Sequence, residues 1–220
     1  HTAVMHKESF DAEGKPKGGY DPSRKTPVQV YELELDNGKQ YTQVFGTSTD
    51  HGYGNAVLLG PDAQLNRHQD GSIEVERVNL GADPDGENRT ALSVGFSSDG
   101  KTSTAVSVHL SNGSDGASEA ARVGQYEKLY EHTDSLDSVV VGGDFNSDPG
   151  GGYFDAQWGW ESPWRDYPDP NSGGLDRAEP GSKDIDQFLY GGEAQLVPGS
   201  TDQLGLGGSD HEFKITDITI

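Results

Sequence analysis

The feature that most constrains the fold is an apolar run that ends abruptly in glycines and then in polar residues. Residues 138–141 are Ser-Val-Val-Val, and residues 142–146 are Gly-Gly-Asp-Phe-Asn. A continuous β-branched run of this kind is typical of a strand that is buried on both faces of its sheet. Such a strand needs a layer above it and another below it, so the sequence predicts a layered protein built around a sheet.

Short apolar or alternating segments recur along the chain, and turn residues separate them. Asp36-Asn37-Gly38 and Asp99-Gly100 predict tight turns between neighbouring strands. Residues 117–132 form the one segment with convincing helical spacing. We therefore expect an α+β fold, a four-layer-type β-sandwich in which two mixed sheets pack face to face with helices outside. The predicted strands are residues 28–35, 40–45, 56–59, 73–78, 90–96, 103–110, 138–141, 186–190 and 212–220.

Charge and composition exclude several classes of protein. Among 220 residues, Asp and Glu number 37 and Lys and Arg number 16, which gives a formal net charge of −21. Such a surface repels nucleic-acid backbones at long range, so phosphate chemistry would need a cation placed in the site. The absence of cysteine excludes a disulfide scaffold and a cysteine nucleophile. No apolar run approaches the ~18 residues that a membrane span needs, so no membrane-spanning segment is predicted.

Length and local composition set the expected organisation. A chain of 220 residues fits one large domain, so we expect a single domain over residues 1–220. Residues 1–30 are an atypical N-terminal segment, because they are the only part without an excess of acidic residues. Residues 147–182 show little periodicity and predict a long functional loop. The composition suits a secreted protein, and we expect a monomer.

Two polar residues directly follow the buried run. Asp144 and Asn146 stand two residues apart, and positions i and i+2 of an extended chain point to the same side. The pair is therefore placed to address one ligand atom. The alternative interpretation is a strand that ends in an Asx turn, without any catalytic role.

Three further segments carry groups suited to acid–base or metal chemistry. His109 ends an apolar strand, where a structural histidine is the alternative interpretation. Asp186 lies between Ile185 and Phe188, and a carboxylate among apolar residues is costly to bury unless it has a partner. Asp210 and His211 follow a glycine-rich segment and offer a metal ligand and an acid–base group, with a surface turn as the alternative.

These motifs, in this order, resemble the endonuclease/exonuclease/phosphatase superfamily, whose fold is that of deoxyribonuclease I. The family pattern is a strand ending in His, a strand ending in Gly-Asp-Phe-Asn, an Ile-Asp strand, and Ser-Asp-His near the C-terminus. Residues 52–58 and 89–92 are similar to the glycine-asparagine strand and the arginine-opened strand of the family. The resemblance covers about residues 45–220 and implies a deoxyribonuclease I-like sandwich. The first strand of the family pattern is not found in the sequence.

The resemblance implies a role for each matching residue. Asp144 would orient or deprotonate the attacking water, and Asn146 would bind the phosphate. His211 would act at the scissile phosphate with support from Asp186. His109 resembles the second histidine of the deoxyribonuclease I-like members.

The resemblance also implies a divalent-metal site. Asp210 would contribute to it, with Mg²⁺ as the expected ion and Mn²⁺ or Ca²⁺ as alternatives. The principal metal ligand of the family is a glutamate on an early strand. Glu8 has a suitable distance to Asn55 along the chain, whereas Glu32 lies too close to it. Asn55 and Arg89 would bind or position the phosphate.

The expected function is that of a Mg²⁺-dependent phosphodiesterase, an endonuclease that cleaves DNA or RNA by in-line attack of water. One alternative is a phospholipase C, sphingomyelinase or inositol-phosphate phosphatase acting on a phospholipid headgroup or an inositol phosphate. Trp158, Trp160 and Trp164 would then touch a lipid interface, although they are also interpretable as plugs over the sandwich edge. A second alternative is a catalytically inactive binding module on the same scaffold.

Overall fold

The computed structural model describes residues 3–12, 14–15, 27–36, 38–48, 53–146, 175–177, 186–200, 202–203 and 214–220. These residues form fifteen strands and one helix. The strands are β1 (Ala3–Phe10), β2 (Val28–Glu34), β3 (Gln40–Thr47), β4 (Gly54–Leu59), β5 (Ala63–Leu65), β6 (Val75–Ala82), β7 (Asn88–Ser98), β8 (Lys101–His109), β9 (Ser138–Asp144), β10 (Leu175–Arg177), β11 (Asp186–Gly192), β12 (Gln195–Leu196), β13 (Asp202–Gln203), β14 (Lys214–Ile215) and β15 (Ile218–Thr219). The helix, α1, spans Gly116–Thr133.

Most of the strands belong to two sheets. Sheet A has the order β1-β2-β3-β4 and is antiparallel throughout. Sheet B has the order β10-β11-β9-β8-β7-β5, with β6 also paired to β7. Sheet B is mixed, because β8 and β9 run parallel while its other pairs are antiparallel. A parallel pair needs a crossover connection, and α1 supplies it between β8 and β9.

The described residues pack into three layers with two apolar cores. One core lies between the sheets and is built from residues such as Phe10, Val44, Val57, Leu92 and Val94. The second core joins sheet B to α1. Its buried members are Leu80, Ala91, Val106, Val108, Leu110, Tyr126, Leu129, Val139, Val141, Phe145 and Leu189. Sheet B is therefore covered on both faces, which explains the continuous apolar run at residues 139–141.

The structure confirms the predicted sandwich with a helix outside it, but of the two sheets only sheet B is mixed, because the described strands of sheet A are all antiparallel. Each of the nine predicted strands is found, with ends that differ by a few residues, and the last is divided between β14 and β15. The hairpin turns at residues 36–38 and 99–100 connect β2 to β3 and β7 to β8 as expected. No helix in the described ranges is long and apolar enough to cross a membrane.

Some strands were not predicted. β1 contains charged residues near its centre, and β5 is only three residues long, so neither carries a clear two-residue alternation. β10 lies inside the segment interpreted as a long loop and forms an edge strand beside β11. Short edge strands of this kind are held by the neighbouring strand rather than by their own pattern.

Candidate active site

Three predicted residues lie in one row across sheet B. His109 at the end of β8 is in register with Asp144 at the end of β9. Asp144 is in turn in register with Asp186 at the start of β11. Residues in register on neighbouring strands share a face, so all three side chains lie on the same side of the sheet at the same edge.

The row lies on the side of sheet B that faces sheet A. Ala105 packs against the core between the sheets, and His109 follows it by four residues on the same strand. Since side chains alternate along a strand, His109 points to the same side as Ala105. The row therefore lies at the rim of the sandwich, on the face of sheet B that is turned to sheet A.

His109 and Asp144 face each other at this rim. The Nε2 atom of His109 lies 3.7 Å from Oδ2 of Asp144, which is ion-pair range and longer than a hydrogen bond. The His109 side chain is 53% exposed and that of Asp144 is 20% exposed. The histidine is thus accessible to a solute, while the carboxylate is held by its surroundings.

Asp144 and Asn146 form an Asx turn. The backbone N–H of Asn146 donates to Oδ1 of Asp144 over 2.8 Å, and Asn146 has a left-handed φ of 52°. Nδ2 of Asn146 donates to the carbonyl oxygen of Leu110 over 3.0 Å, so the side chain is tied to the main chain that follows β8. The turn interpretation is therefore correct for the backbone. It also leaves Oδ2 of Asp144 directed to His109, so the turn and an active-site role are compatible.

The residues beside Asp144 explain the local sequence. Gly143 has a φ of +149°, and an added Cβ would lie 2.0 Å from the carbonyl oxygen of Val108 on β8. Only glycine allows the two strands to approach this closely. Phe145 is fully buried and stacks on Tyr126 of α1 with 5.9 Å between ring centroids. This anchor leaves Asp144 and Asn146 at the surface of the site.

Helix α1 supports the segment that follows His109, and sequence analysis missed this contact. Gln125 is 1% exposed; its Oε1 accepts from the backbone N–H of Ser111 and its Nε2 donates to Oγ of Ser111. Nη1 of Arg122 donates to the carbonyl oxygens of Ser111 and Gly113. The available signal was a glutamine beside Tyr126 and Leu129 on the buried face of the helix, because a buried amide needs a polar partner.

Asn55 joins the two sheets near the row. Its side chain is buried, and Nδ2 donates to the carbonyl oxygen of Thr90 on β7 over 2.6 Å. Thr90 directly precedes Ala91, which is in register with Val108 next to His109. The structure therefore places Asn55 close to the row as a structural joint between sheets.

Arg89 is engaged elsewhere. Its Nη2 lies 2.9 Å from Oδ2 of Asp83 and 3.2 Å from Oε2 of Glu87, both in the turn between β6 and β7. The sequence prediction gave it a phosphate-binding or positioning role. Because two carboxylates already neutralise its charge, the structure favours a role in holding this turn.

Glu8 is not brought to the row. β1 is the edge strand of sheet A, three strands from β4, which corresponds to about 14 Å at ~4.8 Å per strand. The two carboxylate oxygens of Glu8 pair with Nη1 and Nη2 of Arg67 at 3.0 and 2.8 Å. This bidentate ion pair holds the Glu8 carboxylate against Arg67, away from the row. The interpretation of Glu8 as the metal ligand is therefore not supported by this arrangement.

Other predicted features lie outside the described residues. These are Asp210, His211 and the tryptophans Trp158, Trp160 and Trp164. Within the described ranges, no group of three or more His, Asp or Glu residues is arranged to hold a metal ion. Asp144 and Asp186 nevertheless supply two carboxylates in register, and Mg²⁺ commonly takes only one or two carboxylates and several waters. The donor set of the row thus fits this ion.

Comparisons with known proteins identify the fold. No profile of a known protein family matches the chain, and no curated protein matches it in sequence. The human Nocturnin catalytic domain with bound sulfate anion superposes with a TM-score of 0.56 at 17% identity, over 81% of this chain and 72% of that chain. D. rerio TDP2 complexed with single-strand DNA product gives 0.56 at 14% identity, over 81% of this chain and 77% of that one.

A third solved structure also shares this fold. The endonuclease/exonuclease/phosphatase from Bacteroides vulgatus superposes with a TM-score of 0.52 at 14% identity, over 100% of this chain and 76% of that chain. These similarities confirm the deoxyribonuclease I-like sandwich that the motifs predict.

Proposed function

Because the chain has the fold of the endonuclease/exonuclease/phosphatase proteins, we propose that it is a divalent-metal-dependent phosphodiester hydrolase acting on nucleic acid. The observation that carries the proposal is the row of His109, Asp144 and Asp186 at the rim of the sandwich. An acid–base group and two carboxylates at one exposed edge are the groups that hydrolysis of a phosphodiester requires.

Asp144 is the proposed base that orients and deprotonates the attacking water. Its Oδ1 is fixed by the Asn146 N–H, so Oδ2 is the oxygen that remains for this proton. The Asx turn fixes the direction of Oδ2 before binding. Less conformational freedom is therefore lost when water and substrate bind. The proton moves from the water oxygen to Oδ2 as the water attacks phosphorus.

His109 is the proposed electrophilic group at the phosphate. More than half of its side chain is exposed, and its Nε2 faces the same space as Oδ2 of Asp144. A proton on Nε2 would donate to a non-bridging phosphate oxygen and stabilise the charge that develops there. His211, by resemblance, would act on the leaving oxygen, and Asp210 would help to bind the ion.

A divalent ion would supply charge neutralisation at the phosphate when bound. Asp186 is the described residue that would hold it, since Asp144 serves as the base, and Mg²⁺ is the ion best matched to oxygen ligands. This local cation also resolves the difficulty of an anionic substrate approaching a protein of net charge −21.

Nucleic acid is the proposed substrate class. The similar TDP2 structure is a complex with single-strand DNA product, and the row here is open to solvent at His109. Phosphodiester hydrolysis of DNA or RNA uses the same groups as hydrolysis of a phospholipid headgroup. The assay therefore compares the two classes.

The decisive experiment is nicking of supercoiled plasmid with Mg²⁺, and then Mn²⁺ and Ca²⁺, against EDTA. Asp144→Asn and His109→Ala should each lower the rate by about 100-fold or more, because each removes a proton-transfer or charge-stabilising group. His68→Ala is the matched control, since His68 is also exposed but lies on the segment between β5 and β6. It should nick at the wild-type rate.

Two results would contradict the proposal. One is nicking that persists in EDTA or in Asp144→Asn. The other is a folded wild-type protein that nicks plasmid with none of the three ions. In the second case, hydrolysis of sphingomyelin or of an inositol polyphosphate would indicate the alternative substrates, and no turnover of any of them would indicate a binding module.

A further inference from the structure

Side chains of helix α1 hydrogen-bond to the segment that follows His109. The backbone N–H of Ser111 donates to Oε1 of Gln125 over 2.9 Å, and Nε2 of Gln125 donates to Oγ of Ser111 over 2.6 Å. Nη1 of Arg122 donates to the carbonyl oxygens of Ser111 and Gly113 over 2.8 and 2.7 Å. Ser111, Gln125 and Arg122 are all buried. Side chains of the helix thus satisfy main-chain groups that no strand pairs.

The same segment is bonded on its other side to the end of β9. The backbone N–H of Leu110 donates to the carbonyl oxygen of Asp144 over 2.9 Å. The carbonyl oxygen of Leu110 accepts from Nδ2 of Asn146 over 3.0 Å. Leu110 lies directly between His109 and Ser111. Gln125 is therefore linked to Asp144 and Asn146 by hydrogen bonds at Ser111 and at Leu110, which are neighbours in the main chain.

We infer that Gln125 is a positioning residue of the site, and that Arg122 assists it. The inference rests on the proposed function. Gln125 does not touch the space beside His109 and Asp144; it fixes the main chain at Ser111, and through Leu110 it sets the separation of His109 from Asp144 and the direction of the Asn146 amide.

The physical reason is the burial of the Ser111 N–H. Ser111 is fully buried, so an N–H without an acceptor there drives the segment to move until it finds one. A movement of about 1 Å at a catalytic pair is enough to lower a rate by about 100-fold. The burial of Gln125 is therefore explained by its hydrogen bonds to Ser111 beside the site.

A purely structural role of Gln125 in the core predicts a different effect of its substitution on turnover. If Gln125 only stabilised α1, other buried hydrogen bonds of the helix would be equivalent to it. Thr133 provides this comparison, because it is buried and its Oγ1 donates only within α1, to the carbonyl oxygens of Leu129 and Tyr130. Thr133→Val removes these bonds and leaves residues 110–113 untouched.

The test compares Gln125→Met, Gln125→Glu and Thr133→Val in the full chain. Gln125→Met should lower kcat for plasmid nicking by about 100-fold and change KM by less than about 3-fold, because the site is misaligned and the substrate surface is kept. Gln125→Glu should recover kcat to within about 10-fold of wild type, since a carboxylate accepts from both the N–H and the Oγ–H of Ser111. Thr133→Val should keep kcat within about 3-fold of wild type.

A readout independent of turnover separates this inference from the proposed function. In ¹⁵N-labelled protein without metal or substrate, the Asn146 side-chain amide and the Leu110 amide should shift in Gln125→Met and stay in place in Thr133→Val. Unmoved Asn146 signals in folded Gln125→Met, or an equal loss of kcat in Thr133→Val, would overturn the positioning role. If wild type shows no turnover, the proposed function fails and the amide shifts alone decide the positioning role.

Discussion

Arg77 is a half-buried cation of the sandwich. It lies on β6 opposite Leu92 of β7, and its Cγ would be 3.4 Å from a Cβ added to Gly46 on β3, so the aliphatic part of its side chain lies against sheet A. Its Nε is buried and has no hydrogen-bond partner among the residues that the structure describes, and burial lowers the pKa of its guanidinium. A buried donor without an acceptor costs about 1–3 kcal/mol.

Arg77→Met should therefore raise the free energy of unfolding by about 1 kcal/mol, because the apolar stem is kept and the unpaired donor is removed. Urea denaturation monitored by circular dichroism measures the change. Arg122→Met is the matched control and should lower stability, since its Nη1 serves two carbonyl oxygens. A loss of stability in Arg77→Met would show that this guanidinium is satisfied in solution.

His132 makes the stability of the fold depend on pH. Its side chain is 11% exposed, its Nδ1 lies 3.7 Å from Oε2 of Glu76, and its buried Nε2 has no hydrogen-bond partner within the described part of the chain. Burial lowers the pKa of His132, and the charge of Glu76 opposes this only in part. The unfolded chain therefore takes up the proton first as the pH falls below about 6.5.

The contribution of His132 is thus complete above about pH 6.5 and is lost as the pH falls through the folded-state pKa. The free energy of unfolding should be lower at pH 5.5 than at pH 7.5, and His132→Gln should reduce this difference. Asp70 and Asp115 also have lowered pKa values, through hydrogen bonds from Ser72 and Ser118, but they act only below about pH 4. An equal pH dependence in His132→Gln would assign the effect to other groups.

At the level of single residues, the sequence predicts where a side chain lies in the fold better than it predicts which side chain it pairs with. His109, Asp144 and Asp186 were each placed at a strand end, and the register then brought them into one row. The partners of Arg89, Asp83 and Glu87, lie in the turn just before it, so this pairing was in reach of the sequence. The partner of Glu8 is Arg67, 59 residues away, and such a long-range pair leaves no local pattern in the chain.

The pairing of β8 with β9 depends on one glycine. At Gly143 the backbone has a φ of +149°, and an added Cβ would lie 2.0 Å from the carbonyl oxygen of Val108. Gly143→Ala should lower the free energy of unfolding by about 2–3 kcal/mol, because the strands must separate or the backbone must take up strain. Gly60→Ala is the control, since an added Cβ there meets nothing within 4 Å.

Thermal or urea denaturation of the two glycine variants checks this prediction. Gly143→Ala should also weaken plasmid nicking, because Asp144 follows directly and its distance to His109 depends on the strand spacing. Equal stability of the two variants would show that β8 and β9 tolerate a wider separation than the register implies.

At the level of elements, a buried strand is easier to predict than an edge strand. The run at residues 138–141 is apolar because sheet B is covered on both faces, and its pattern is visible without the structure. β10 and β5 take their conformation from β11 and β7, so their sequences need no strong alternation. The polar face of α1 was likewise explained only when residues 110–113 were placed against it.

For the whole molecule, Asn55 is a joint between the two sheets at the edge that carries the row. Its Nδ2 donates to the carbonyl oxygen of Thr90 over 2.6 Å, and both residues are buried. Asn55→Ala should lower the free energy of unfolding by about 1–3 kcal/mol, because the joint is lost and a buried acceptor is left with fewer donors.

Asn66→Ala is the matched control, because Nδ2 of Asn66 also donates at 2.8 Å but to Oε2 of Glu74 near the surface. It should lower stability by less than ~0.5 kcal/mol. Urea denaturation of the two variants measures both changes, and an equal loss in the two would mean that the Asn55 contact does not hold the sheets together.

The contact of Asn55 also affects what an alignment of related sequences can show. The asparagine is fixed by its side chain, whereas Thr90 contributes only a main-chain oxygen that every amino acid possesses. Position 90 is thus free to vary in this respect while position 55 is not, and no correlated substitution between them is required. The same holds for Asn146 with Leu110. Methods that infer contacts from paired substitutions would overlook the bonds that align the two halves of this site.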